Sequence, residues 1–156
     1  MKIIPVTPKL EFLCRGEVEA GTPIKTGKLD FGEMCMVPLL GGHFTGKITG
    51  EVMPGGADTQ WLKPDGTVAH IDARYMIKTN DGAIIYIHNP GLRVIKPDVI
   101  DRIWKGEDVD PALYYFRTTP EIESGSPKYA WLNSVVCVCS GARFAKGAIL
   151  DFYTVS

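Results

Sequence analysis

Asp58 and Gln60 stand two residues apart, as do Asp72 and Arg74, Tyr115 and Arg117, and Trp131 and Asn133. In extended backbone that spacing puts both members of a pair on the same face of a strand. If these faces converge on one concave mouth, they form a polar pocket edged by aromatic rings, the usual form of a small-molecule site. Arg74 and Arg117 would then contact an anion, because a planar guanidinium suits a carboxylate, an enolate or a phosphate oxygen. Gln60 and Asn133 would add hydrogen bonds, and Tyr86, Tyr115 and Trp131 would serve as walls. In a catalytic version Asp58 or Asp72 acts as general base for an isomerisation, cyclisation or lyase step, with an arginine stabilising the developing oxyanion.

A plainer arrangement uses the same residues. Asp72 can pair with Arg74 or Arg117 as a structural salt bridge, or the whole face can lie outside, in water. The second class of function is then a non-catalytic, homo-oligomeric module whose polar face is a subunit interface. The two classes differ in geometry: a pocket needs the Asp/Arg set to line a concavity, whereas an interface needs it outside and matched by a symmetric copy.

Other chemistries find less support. His43, His70 and His88 lack the spacing of a metal site, and Cys137-Val138-Cys139 has no matching second half, so no metal is expected. There is no Gly-x-Ser-x-Gly, phosphate loop or dinucleotide fingerprint, so no cofactor is expected either. Cys14, Cys35, Cys137 and Cys139 read as reduced, buried thiols behaving as small hydrophobes.

The elements that must position these groups are short strands. Lys9 to Val18 alternates, with Leu10, Phe12, Cys14 and Val18 on one side and Lys9, Glu11, Arg15 and Glu17 on the other. Gly41-Gly42 reads as a sharp turn, and Lys47 to Val52 resumes the alternation with Ile48 and Val52 on one face. Val68 to Thr79 and Ala83 to Asn89 flank Asn80-Asp81-Gly82, which suits a hairpin with its glycine in the left-handed position of a bulge. Pairing Arg74 with His88, Tyr75 with Ile87 and Ile77 with Ile85 gives the hairpin two unlike faces. Ile71, Ala73, Tyr75, Ile77, Ile85 and Ile87 form the core face; His70, Asp72, Arg74, Met76, Tyr86 and His88 form the other. Asp98 to Lys105 changes to a helical period with Val99, Ile100, Ile103 and Trp104 on one stripe, Asp98 at the start and Gly106 at the end. Leu113 to Thr119, Tyr129 to Ser140 and Ala145 to Val155 complete the strands.

The expected fold is therefore mainly β: one domain over residues 1–156, an antiparallel closed or nearly closed barrel of about eight to ten strands with one short helix, since closure removes exposed edges. A two-sheet sandwich is the alternative. The composition of 45% hydrophobic and 22% charged residues suits a folded domain, and 17 Gly and 11 Pro suit many turns. With 17 basic against 18 acidic residues and no basic block, neither nucleic acid nor a membrane surface is an expected partner. The lack of a long apolar run makes a cytoplasmic location the expectation.

Gly41-Gly42-His43-Phe44-Thr45-Gly46, Met53-Pro54-Gly55-Gly56-Ala57-Asp58, Ile71-Asp72-Ala73-Arg74-Tyr75, Asp81-Gly82-Ala83, Tyr115-Phe116-Arg117-Thr118 and Tyr129-Ala130-Trp131-Leu132-Asn133 occur in that order. Together they resemble an uncharacterised bacterial and fungal family, the domain of unknown function numbered 3237. The resemblance covers nearly the whole chain and implies a small β-barrel, without implying a reaction. The family often has an aromatic residue directly after the Asp of its Gly-Gly-Ala-Asp run; here Thr59 stands there and Trp61 follows two positions later.

Overall fold

The computed structural model describes residues 1–156. Its strands are β1 (Leu10–Ala20), β2 (Ile24–Lys25), β3 (Glu33–Gly46), β4 (Gly50–Val52), β5 (Gly56–Leu62), β6 (Val68–Thr79), β7 (Ile84–Val94), β8 (Tyr115–Thr118), β9 (Glu121–Glu123), β10 (Cys137–Phe144) and β11 (Gly147–Val155). A single α-helix, α1 (Pro97–Trp104), follows β7, and 3-10 turns occupy Pro111–Leu113 and Ala130–Ser134. All pairings between strands are antiparallel.

Eight strands close a ring in the order β1, β3, β5, β6, β7, β8, β10, β11 and back to β1. The ring is uneven. β6 and β7 pair over eleven positions, whereas β8 meets β10 at only two. β2, β4 and β9 are short additions, β4 bridging β3 and β6 where the ring flares. Closure leaves no long unpaired edge, which is how an all-β chain avoids edge-to-edge association.

The β6–β7 hairpin has the expected register, with Arg74 opposite His88, Tyr75 opposite Ile87 and Ile77 opposite Ile85. Gly82 takes φ 86°, and the Thr79 N–H donates to the Ala83 carbonyl at 2.9 Å, closing the turn. Ile71, Ala73, Tyr75, Ile77, Ile85 and Ile87 are all buried, as the alternation requires.

Three local readings change. The alternation of β1 breaks at a bulge between Phe12 and Cys14, so Leu13 and Cys14 are both buried while Leu10 and Phe12 face out at 62% and 47% exposure. Gly41-Gly42 is a bend inside the continuous strand β3, not a turn. Leu40 is the extra residue there, and Gly42 at φ 123° sits where a Cβ would lie 2.0 Å from the Glu17 carbonyl. Lastly, the stretch from Tyr129 splits: Ala130–Ser134 is a 3-10 turn and the strand begins only at Cys137. Trp131 and Asn133 therefore do not share a strand face.

The ring interior divides along its axis. One end is filled by Phe44, Phe152, Ile48, Ile77, Ile85 and Cys14, all at most 1% exposed. Phe44 and Phe152 lie 5.5 Å apart between centroids at 42°, a tilted aromatic pair. Two glycines make room for rings: a Cβ on Gly16 would fall 2.5 Å from Phe44, and one on Gly141 would fall 2.5 Å from Phe116. Gly141→Ala should accordingly lower stability by about 1–3 kcal/mol through overpacking. Urea denaturation should show this as a lower midpoint at unchanged slope, and an unchanged midpoint would mean that Phe116 yields freely.

The other end is closed by α1. Val99 and Ile103 insert into the core, while Ile100 and Trp104 turn towards the mouth of the ring. Pro97 opens the helix behind Lys96, so Asp98 lies in the first turn and is not the cap. Gly106 ends the helix at φ 84°, with the Glu107 N–H bonded back to the Arg102 carbonyl.

Candidate functional site

Side chains that point inward near α1 continue the core face of each strand, but they are polar. On β6 and β7 the inward series runs Ala69, Ile71, Ala73, Tyr75 against Ile87, Asn89, Gly91, Arg93. On β10 it runs Cys137, Cys139, Gly141, Arg143, and on β5 it includes Asp58 and Gln60. These groups line two joined spaces. A mouth cavity of about 350 Å³ lies under α1 and the turn at Pro64, and a deeper chamber of about 50 Å³ lies below it. Ala20, Val37, Arg93 and Arg143 border both.

Asp58 sits in the deeper chamber. Its Oδ2 accepts from Gln60 Nε2 at 2.6 Å and its Oδ1 from the Asp72 backbone N–H at 3.1 Å. Gln60 is 3% exposed and links outward, its Oε1 accepting from Arg93 Nη2 at 3.3 Å. Arg143 is held from behind: its backbone N–H donates to the Tyr114 hydroxyl at 2.7 Å, and its guanidinium lies 5.3 Å from the centre of the Trp104 ring. Arg143 Nε is buried with no hydrogen-bond partner. None of the ion pairs in the chain includes Arg93, Arg143 or Asp58.

The electrostatics follow from burial. Desolvation lowers Arg93 below its ordinary value, and desolvation together with the neighbouring charge of Arg93 brings Arg143 down to about 10. Desolvation also raises Asp58, outweighing its hydrogen bonds and the two nearby arginines. Two guanidinium groups thus border the deeper chamber with one carboxylate, Asp58, that is itself biased towards its neutral form. A group whose folded-state value lies above the unfolded one binds more protons when folded, so its ionisation takes stability away as the pH rises from its ordinary value of 3.8 through the raised value. Asp58→Asn should therefore melt no lower than the parent at pH 7, and any advantage should vanish as the pH approaches 3.8. Melting temperatures across that range test this; a variant markedly less stable at neutral pH would show that the ionised carboxylate is a net stabiliser.

Residues 8–155 match the family model described as "Protein of unknown function (DUF3237)". The chain belongs to this family. A UPF0311 protein of Clostridium acetobutylicum is 41% identical over 136 residues, covering 86% of this chain and 85% of that protein. Among solved structures, a conserved protein of unknown function from Rhodopseudomonas palustris superposes with a TM-score of 0.89 at 34% identity, covering 97% of this chain and all of that one. A β-barrel-like protein from Acinetobacter baumannii gives a TM-score of 0.85 at 37% identity over 99% of this chain. The family resemblance and the barrel-like fold expected from the sequence are both shown.

Within this family fold, the residues singled out from the sequence fall in three places. Asp58 and Gln60 are inside the ring. Asp72, Arg74 and Tyr86 are on its outer surface, where Asp72 Oδ1 lies 2.6 Å from His88 Nε2 and Arg74 Nη1 donates to the Tyr86 hydroxyl at 3.3 Å. Tyr115 and Arg117 also face outward on β8, the guanidinium 5.5 Å from the Tyr115 ring and bonded to the Phe116 carbonyl at 2.8 Å. Trp131 is 45% exposed on its 3-10 turn, and Asn133 bonds both the N–H and the carbonyl of Ser124, pinning a loop. The nine residues therefore do not meet in one mouth.

Arg93 and Arg143 were not among them. Pro90-Gly91 and Gly141 look like strand ends, yet both strands run on through these glycines. Carrying the period of two from Ile85 and Ile87 through Asn89 and Gly91, or from Cys137 and Cys139 through Gly141, leads to the two arginines. His43, His70 and His88 remain apart, and no group of three His, Cys, Asp or Glu side chains is arranged to hold a metal. The four cysteines are buried and unpaired, with burial raising Cys139 to about 12. No helix is long and apolar enough to cross a membrane.

Proposed function

We propose that this protein binds a small organic anion inside the ring, its acidic group held between Arg93 and Arg143. The observation that carries the reading is the charge imbalance: two largely buried guanidinium groups border both spaces, Asp58 is the one carboxylate of the deeper chamber and in ion-pair range of neither, and Glu33 at the mouth is paired with Lys25. A buried cation without a partner costs several kcal/mol, roughly, and an incoming carboxylate, enolate or phosphate oxygen offsets that cost. The unpartnered Arg143 Nε supplies a donor for it, and Trp104 forms an aromatic wall at the mouth. The cavity also has the size of a small-ligand site, the usual range being roughly 300–1,000 Å³.

Asp58 gives the site its capacity for chemistry. A carboxyl raised by burial above its ordinary value, set beside arginines that can stabilise oxyanion charge, fits a general acid–base in an isomerisation, cyclisation or lyase step. The role first read for Asp58 is kept in this proposal, while the anion contacts move from Arg74 and Arg117 to Arg93 and Arg143. The test is a thermal-shift screen of small organic acids on the parent, Arg93→Met and Arg117→Met. A ligand at about a hundred times its dissociation constant stabilises by roughly 2.7 kcal/mol. The shift should persist in Arg117→Met and shrink in Arg93→Met; the reverse pattern would move the site to the outer face.

A further inference from the structure

Below the two arginines the deeper chamber carries hydrogen-bonding capacity that the protein leaves unused. Tyr75 is 3% exposed and Asn89 is 2% exposed, and both border this chamber together with Asp58. Neither Tyr75 Oη nor Asn89 Oδ1 has a hydrogen-bond partner. Buried polar groups are nearly always bonded, because leaving one unmade forfeits its hydration with nothing in return, so two in one small space point to a missing partner. Their chemistry defines that partner. Tyr75 offers an O–H donor and Asn89 a carbonyl acceptor, which together match a group that both accepts and donates.

We propose that the chamber is a hydroxyl subsite, and that the anion bound by Arg93 and Arg143 is a hydroxy acid whose hydroxyl accepts from Tyr75 Oη and donates to Asn89 Oδ1. This rests on the anion-binding reading above and narrows it to a substrate class. Size is compatible with the assignment: the chamber holds about 50 Å³, against the roughly 10–15 Å³ that a single water needs, which is room for a hydroxyl and its carbon. Position supports it too. The chamber shares Arg93 and Arg143 with the mouth, so one molecule reaches both, its acid at the arginines and its hydroxyl beyond them. Asp58 borders the same chamber, which places a carboxyl next to the hydroxyl-bearing carbon.

The subsite discriminates by what it leaves unpaired. A site built to hydrogen-bond a hydroxyl rejects the analogue that lacks it more strongly than an apolar pocket rejects an added group. Calorimetric titration with butanoate, 2-, 3- and 4-hydroxybutanoate, 3-phenylpropanoate and 3-(4-hydroxyphenyl)propanoate scans the separation between acid and hydroxyl. At least one hydroxy acid should bind about tenfold or more tightly than its parent acid. Tyr75→Phe and Asn89→Leu should each remove that preference while leaving the affinity for the parent acid within about twofold, because each removes only an unpartnered polar group. Tyr75→Phe deletes a single buried oxygen and so serves if Asn89→Leu fails to fold. Acids that bind equally with and without a hydroxyl, in the parent and both variants, would overturn the subsite and leave the anion site standing. If no acid binds, or if binding survives in Arg93→Met, the anion site itself falls and the subsite with it. An ordered water that stays between Tyr75 and Asn89 in a crystal structure of the acid complex would likewise overturn the subsite.

Discussion

Arg143→Met is expected to weaken binding of any acid ligand by about thirtyfold or more, because losing one partner of a buried charged contact costs roughly 2–5 kcal/mol. The same change should leave the ligand-free protein melting no lower than the parent. Both expectations come from one feature: burial and the charge of Arg93 hold Arg143 down to about 10, so the empty site carries a cation that the fold compensates incompletely. For a base whose folded-state value is lowered, the penalty is present at every pH below that value, and it is therefore fully present at pH 7. Methionine keeps much of the side-chain volume against Trp104 and removes the charge. Calorimetric titration and thermal melting of the two proteins measure the two effects. Loss of binding accompanied by a large loss of stability would instead mark Arg143 as a structural residue, stabilised by contacts beyond Trp104.

Phe152→Ala is expected to cost about 3–5 kcal/mol of stability, a large share of the roughly 5–15 kcal/mol typical of a native domain. Phe152 is 0% exposed on β11, lies opposite Cys14 of β1 and Cys139 of β10, and packs on Phe44. Neither neighbour can fill the space. The cysteines are short, and Phe44 already occupies the room left by Gly16. At about 2–4 °C per kcal/mol for a chain of this size, the melting temperature should fall by roughly 10 °C. A fall of under about 3 °C would mean that this end of the ring relaxes around the cavity.

Parts of this architecture are legible in the residues. The β6–β7 hairpin could be registered from Asn80-Asp81-Gly82 because turn geometry fixes pairing, and one buried face then fixes every neighbour. The helix was visible in Val99, Ile100, Ile103 and Trp104, since the change of period from two to three or four has no other cause in so short a stretch. Ring closure itself followed from the edge problem.

The errors have a common origin in bulges and glycines. At Leu13 a bulge shifts the alternation of β1 by one, so Leu10 and Phe12, apolar and in phase with Cys14, end up outside. A bulge is a backbone event with little side-chain signature, and the pattern alone does not reveal it. Gly91 and Gly141 caused the larger error. Each sits where a Cβ would collide with a neighbouring element, 2.3 Å from the Arg117 carbonyl and 2.5 Å from the Phe116 ring. They are strand glycines set by close approach, although in the sequence they look like turn residues. Reading them as strand ends removed Arg93 and Arg143 from view. Arg74 and Arg117 stand in clearly alternating segments, but their faces turn outward.

Asp58 and Gln60 share the interior face because they alternate in phase within an uninterrupted strand. What the sequence could not convey is that the wet-looking face of the β6–β7 hairpin, with Asp72, Arg74 and His88, satisfies itself. Asp72 meets His88, and Arg74 meets Tyr86, all within or beside the same hairpin. The interior set has no such closure, and that contrast between a satisfied outer cluster and an unsatisfied inner one is the basis of the functional reading.

The most direct test of that reading is a crystal structure of the protein soaked with the acid that gives the largest thermal shift. The account predicts density for the acid group between the Arg93 and Arg143 guanidiniums, under Trp104 and above Asp58. An acid found on the outer face at Arg74 or Arg117, with the ring cavity holding only water, would contradict it.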